Sequence, residues 1–232
     1  MTSPWRAIWG RRVIETPAAP TLSDLLALDG MGSGFGAIEE GAWRAFVTRV
    51  AGRIGLRRGE EVFEVGCGAG AFLRPLADLG ARVGGLDFAA NLLAVARHAL
   101  PGGRFVEGEA AELPAAPAVE HVVSMGVFLY FPSEAYAERV LERACALAGR
   151  TLTLLDLPDR AHEARAIEAR RRYLGEEVYA RDYADLEHRY YDRGWVRARL
   201  EAAGFEAHAE DQDIAGYYHA PYRFNVFAGR RG

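Results

Sequence analysis

Glu64, Gly66, Gly68 and Gly70 fall in the run Glu61–Leu73, EVFEVGCGAGAFL, and their types and spacing are those of a ligand-binding turn. Val62, Phe63 and Val65 make a short apolar run with β-branched members, which predicts a buried parallel strand. Ala71, Phe72 and Leu73 resume at helical spacing. A strand, a glycine turn and a helix start, in that order, aim the unpaired N–H groups of a helix N-terminus at an electron-rich group. Glycine suits such a turn because a ligand can approach the backbone where any Cβ would intrude. Glu64 sits at the strand tip, two residues before the first glycine. Its carboxylate would repel a pyrophosphate and suits a ligand that carries positive charge. Asp87 ends the apolar run Arg82–Leu86, about 20 residues beyond the glycines, where an acid accepts both hydroxyls of a ribose.

Proton transfer could fall to His219, Tyr130 or, more weakly, His188. His219 lies beside Tyr217, Tyr218 and Pro221, and an ordinary imidazole pKa suits proton removal near neutral pH. A solvent-facing turn histidine is the competing reading. Asp156 and Asp159 announce no third metal ligand, so no metal is expected. The chain has no lysine, so all 28 basic residues are arginines. That excludes Schiff-base chemistry and a P-loop lysine. Cys67 and Cys145 read as two reduced thiols.

The pattern E-x-G-x-G-x-G at Glu64–Gly70 resembles the first motif of class I S-adenosylmethionine-dependent methyltransferases. A dinucleotide fingerprint through Gly66, Gly68 and Ala71 competes with it, and Glu64 weighs against that reading. The resemblance implies S-adenosylmethionine as cofactor and S-adenosylhomocysteine as product, held by Glu64, Gly66, Cys67, Gly68, Gly70, Asp87, Phe88 and Met125. Glu109 and Ala110 match the family's acid and small residue along the adenine edge, with Glu in place of the more usual Asp. Gly126–Pro132 resembles the family's loop between cofactor and substrate. Many members carry histidines where this chain has Leu129 and Tyr130. Phe128, Tyr190, Tyr217 and Tyr218 are the candidate acceptor-binding aromatics. The implied activity is methyl transfer to a small molecule, with oxygen favoured over nitrogen or carbon, in natural-product biosynthesis. Two alternatives stand beside it: a protein of this fold that binds the cofactor but catalyses a rearrangement such as cyclisation, and a nicotinamide oxidoreductase.

The elements that must position these residues follow from the rest of the chain. Its 232 residues, half of them hydrophobic, suffice for one α/β domain with a real core. The resemblance implies a Rossmann-like class I methyltransferase fold, a mostly parallel seven-stranded sheet with an antiparallel C-terminal hairpin and helices on both faces. Residues 1–36 carry three prolines and a glycine cluster and read as an N-terminal arm; residues 37–232 read as the methyltransferase domain. Helices are predicted over Ile38–Leu56, Phe72–Leu79, Asn91–Leu100, Ser133–Ala148 and Trp195–Ala203. Strands are predicted over Arg82–Leu86, Arg104–Val106, His121–Met125, Thr151–Leu155, Phe205–Asp211 and Tyr222–Phe227. Residues 157–192 are charged and helical in propensity, and read as a solvated lid above the sheet. A net charge of −4 argues against a nucleic-acid partner. No long apolar run or signal core appears, so a cytoplasmic protein of a GC-rich bacterium is expected.

Overall fold

The computed structural model describes residues 4–10, 19–32, 34–114, 118–183, 186 and 188–231. Helices α1 (Pro4–Gly10), α2 (Leu22–Leu28) and α3 (Glu40–Arg53) precede the first strand. Then come β1 (Glu61–Val65), α4 (Leu73–Asp78), β2 (Arg82–Asp87), α5 (Ala90–Ala99) and β3 (Arg104–Glu107). Strand β4 (Val119–Met125), α6 (Glu134–Leu147) and β5 (Ala148–Pro158) continue the alternation, and α7 (Glu163–Leu174) and α8 (Glu176–Tyr183) interrupt it. Helix α9 (Arg193–Ala202), β6 (Phe205–Asp211) and β7 (Arg223–Arg230) close the chain.

The seven strands lie in the order β3-β2-β1-β4-β5-β7-β6. Strands β1 to β5 are parallel, and β7 runs antiparallel between β5 and β6. The C-terminal ends of five strands therefore share one edge. Because β7 runs the other way, its first residue reaches that same edge, where Arg223 pairs with Pro158. Successive side chains of a strand point to opposite faces. Val62 accordingly joins the apolar cluster of α2 to α5, while Phe63 and Val65 join that of α6 and α9.

Three departures from the sequence reading have local causes. Helix α6 passes directly into β5 at Ala148, and β5 is longer than expected. Pairing with β4 holds its start and pairing with β7 holds its end. Leu22, Leu25 and Leu26 of the supposed arm are buried in the core. The helix itself follows from the sequence, where Leu22, Leu25, Leu26 and Leu28 recur at helical spacing after a Thr21 or Ser23 cap, and Thr21 closes a capping box with Asp24. The charged segment after β5 is not wholly solvated either: α7 buries Ala166, Ala169 and Arg170.

Candidate active site

A cavity of about 1000 Å³ lies over the C-terminal edge of the sheet. Its floor at one end is the glycine turn between β1 and α4. Gly66 and Gly68 have φ of 76° and 51°, the left-handed region. A Cβ on Gly66 would stand 2.4 Å from the Val127 side chain, and one on Gly68 would stand 2.2 Å from Asp29 Oδ1. The turn is held from three sides. Gly66 N–H donates to the Leu86 carbonyl at 2.7 Å. Trp43 Nε1 on α3 donates to the Ala71 carbonyl at 2.9 Å. Asp29, just past α2, accepts from Ala69 N–H at 2.7 Å and from Ala71 N–H at 3.1 Å.

Carboxylates crowd this end of the cavity. Glu64 is 2% exposed and its Oε2 has no hydrogen-bond partner. Burial first, then the neighbouring Asp29 and Asp87, holds its pKa well above the usual carboxylate range. Asp87 Oδ2 accepts from Gly68 N–H at 2.9 Å and its Oδ1 from Ala89 N–H at 2.8 Å. It thus ties the turn to the start of α5 and keeps further lone pairs for a ligand. Burial also raises its pKa, against these backbone bonds. The Cys67 thiol is buried beside the same acids and pushed far up, so it stays a neutral thiol. Glu109 Oε2 accepts from Tyr136 O–H at 2.9 Å and pairs with Arg6 of α1.

The other end is aromatic and basic. Tyr130 packs against Trp5, Trp9 and His188 with ring centroids 4.8, 5.6 and 5.8 Å away. His219 meets Phe35 edge-on at 4.2 Å. Tyr217 O–H donates to Asp156 Oδ2 at 3.0 Å. Asp156 has a φ of 61°, unusual for a residue with a side chain. Its backbone N–H donates to Asn225 Oδ1 and its Oδ1 accepts from Gln212 Nε2. Burial raises its pKa, opposed by Arg223 and these two side-chain donors.

Of the residues singled out from sequence, Glu64, Gly66, Cys67, Gly68, Asp87, Phe88, Glu109, Ala110 and Met125 line the cavity, as do Tyr130, Tyr217 and His219. Gly70 does not; its φ of 91° serves the turn, packed under Leu100. Phe128 is buried against Phe131 and Tyr191, away from the cavity. Tyr190 is also buried outside its lining, and Tyr218 sits exposed on the outer surface against Phe35 and Tyr173. The expected pKa of His219 changes as well. Burial, then Arg223 and Arg170, pushes it down to about 2, so the imidazole is neutral and a weak base. Asp29, Arg170 and Arg223 line the cavity and were not foreseen. Arg223 carries a readable signal, a charge at the head of the mostly apolar run Phe224–Ala228. Among the described residues no group of three His, Cys, Asp or Glu is placed to hold a metal ion.

These features fit S-adenosylmethionine. An unsatisfied buried carboxylate, two flanking acids and a glycine turn make a site for a cationic nucleoside rather than for a pyrophosphate. Residues 62–150 match a methyltransferase-domain family. The ubiquinone biosynthesis O-methyltransferase of Xanthomonas campestris pv. campestris is 32% identical over 186 residues, covering 75% of this chain and 72% of that one. The chain belongs to the class I S-adenosylmethionine-dependent methyltransferases. Solved structures agree on the fold of this methyltransferase. Magnesium protoporphyrin IX methyltransferase from Synechocystis PCC 6803, with bound S-adenosylhomocysteine, superposes with a TM-score of 0.62 at 19% identity, covering 98% of this chain and 92% of that one. An amino pentose methyltransferase involved in calicheamicin biosynthesis, from Micromonospora echinaspora with bound S-adenosylmethionine, gives 0.60 at 18% identity over 88% and 95% of the two chains. The methyltransferase therefore uses S-adenosylmethionine. Family membership decides against the nicotinamide reading of the glycine turn.

Proposed function

We propose that this methyltransferase methylates an oxygen of a flat, small acceptor seated over the ends of β4, β5 and β7. The observation that carries this reading is the extent of the cavity. It continues past the acidic end into a chamber lined by Tyr130, Tyr173, Tyr183 and Tyr217. Aromatic faces of that kind favour flat partners. The O-methyltransferase relative supports oxygen as the acceptor atom. A role in bacterial natural-product biosynthesis, in the cytoplasm, belongs to the same reading. Among the described residues no helix is long and apolar enough to cross a membrane.

S-adenosylmethionine, when bound, supplies an activated methyl on a sulfonium sulfur. Glu64 and the turn from Gly66 to Gly68 would hold its amino-acid end, Asp87 its ribose, and Glu109 and Ala110 its base. Trp5 and Trp9 of α1 and Phe35 line the cavity and would shield a bound cofactor from water. Tyr130 and Tyr217 flank the acceptor and fix its plane. Alignment of that kind supplies about 7–11 kcal/mol of a barrier. His219, held neutral, accepts a hydrogen bond from an acceptor hydroxyl and orients it rather than acting as a strong base.

The test is incubation with S-adenosylmethionine and a panel of phenols, hydroxy acids and amines, read by mass spectrometry for methylated product. Methylation of a phenol or hydroxy acid supports the reading. Products confined to amines would overturn the choice of oxygen.

A further inference from the structure

The two ends of the cavity carry opposite charge. The glycine-turn end presents Asp29, Glu64, Asp87 and Glu109. The far end presents two guanidinium groups, Arg223 at the head of β7 and Arg170 on α7. Arg223 lies three strands from the glycine turn, past β4 and β5, about 14 Å at ~4.8 Å per strand.

Both arginines are hidden from solvent, with 5% and 4% exposure for Arg223 and Arg170. Charged side chains are almost never so buried unless paired. Yet neither makes an ion pair among the described residues, and Arg223 Nη1 has no hydrogen-bond partner at all. Arg170 Nη2 donates to His188 Nδ1 at 2.6 Å and its guanidinium lies 5.7 Å from the centre of the Tyr183 ring, and neither partner carries a negative charge. Asp156 faces Arg223 without closing an ion pair with it, and accepts from Gln212 and Tyr217 instead. One such carboxylate cannot neutralise two guanidiniums. His188 and His219 are both driven toward the neutral form by this pair of cations, burial being the larger cause. An unpaired buried guanidinium facing a cavity is costly, and a planar anion presenting two oxygens matches its fork of donors.

We propose that the acceptor carries a carboxylate, received by Arg223 and Arg170 at the end of the cavity away from the glycine turn. The assignment rests on the small-acceptor reading above and narrows it. The carboxylate fixes the far end of the acceptor, while the aromatic side chains between the two arginines and the cofactor set its plane. Arg223 and Arg170 thereby determine specificity: an acid is retained, and its neutral counterpart leaves the two guanidiniums unpaired.

The experiment uses wild-type protein saturated with S-adenosylhomocysteine, together with Arg223→Gln and Arg170→Gln. Each is titrated with matched pairs of flat carboxylic acids and their primary amides. Acids should bind wild type more tightly than their amides by roughly 10- to 100-fold. Arg223→Gln should erase that gap by weakening the acids alone, with S-adenosylhomocysteine affinity unchanged. If Arg223→Gln does not fold, Arg170→Gln on the inserted helix carries the same comparison. Amides that bind as well as acids would overturn the proposal and leave the small-acceptor reading standing. A second arm compares acetate with acetamide at constant ionic strength by thermal shift. Stabilisation by acetate alone, lost in Arg223→Gln, would support the anion site even if no flat acid bound and the acceptor reading fell. Equal effects of acetate and acetamide, or an acetate effect kept in both variants, would sink the anion site.

Discussion

Gly68→Ala is expected to act through a residue 39 positions away in sequence, Asp29. Alanine at a φ of 51° costs roughly 1–2 kcal/mol by itself. The new Cβ would also stand 2.2 Å from Asp29 Oδ1, so that carboxylate must leave. It then gives up its bonds to Ala69 N–H and Ala71 N–H, of 2.7 and 3.1 Å. Bonds to a charged group contribute about 1.5–3 kcal/mol each, and the half-buried setting argues for the low end, about 3 kcal/mol together. Gly68→Ala should therefore cost about 4–5 kcal/mol and Asp29→Ala about 3 kcal/mol. The double variant should cost only about 4–5 kcal/mol, because both changes remove the same two bonds. The assay is urea unfolding of the four proteins. In a chain of this length the Gly68→Ala loss corresponds to a Tm drop of about 8–20 °C. Additive losses near 7–8 kcal/mol in the double variant would refute the link between the arm and the turn.

Asp87→Asn should weaken S-adenosylhomocysteine by about 10- to 100-fold in calorimetry, since a carboxylate receives ribose hydroxyls better than an amide does; unchanged affinity would remove its ribose role. The contribution of His121 and His188 to stability should fall as pH drops below about 6.5, the ordinary value of histidine, because burial holds both neutral when folded while the unfolded chain takes up protons. A second loss should follow from about 4.5 down to about 2, as Glu60 protonates; its pKa is lowered by its hydrogen bond with His121, then by Arg57 N–H and Arg150. Glu64, Asp87 and Asp156, raised by burial, act in the opposite direction above pH 4.5, so NMR titration of the histidine rings tests the first effect and urea midpoints below pH 4.5 the second. A His121 or His188 ring that protonates at or above 6.5 in the folded protein would contradict the neutral histidines. With an acceptor found by the methylation screen, His219→Ala should lower turnover by less than about 100-fold, and a larger loss would make it a general base after all.

Local signals made much of the fold and the cofactor end legible. The glycine turn, the alternating strands and helices and the terminal hairpin each carry their own residue types, so β6 was placed at Phe205–Asp211 as observed. Glu64, Asp87 and Glu109 sit at the ends of strands or just past them, and chain order alone brings those ends to one edge. The far end of the cavity was not legible. Arg170 lies in a helix with charges all round, and nothing in its spacing says that this arginine turns inward. Asp29 reaches the glycine turn because α2 packs into the core; the spacing of Leu22, Leu25 and Leu26 marks an apolar helix face but not the surface that it covers. Phe128 and Tyr190 misled for the opposite reason: aromatic residues near a site are as readily core as lining, and these two pack inward.

The measurement that bears most directly on the central claim is calorimetric titration of the purified protein with S-adenosylhomocysteine, with NAD in parallel. Micromolar binding of S-adenosylhomocysteine, lost when Glu64 or Asp87 is replaced, is the predicted result. Binding of NAD alone would contradict the account of the glycine turn and its carboxylates.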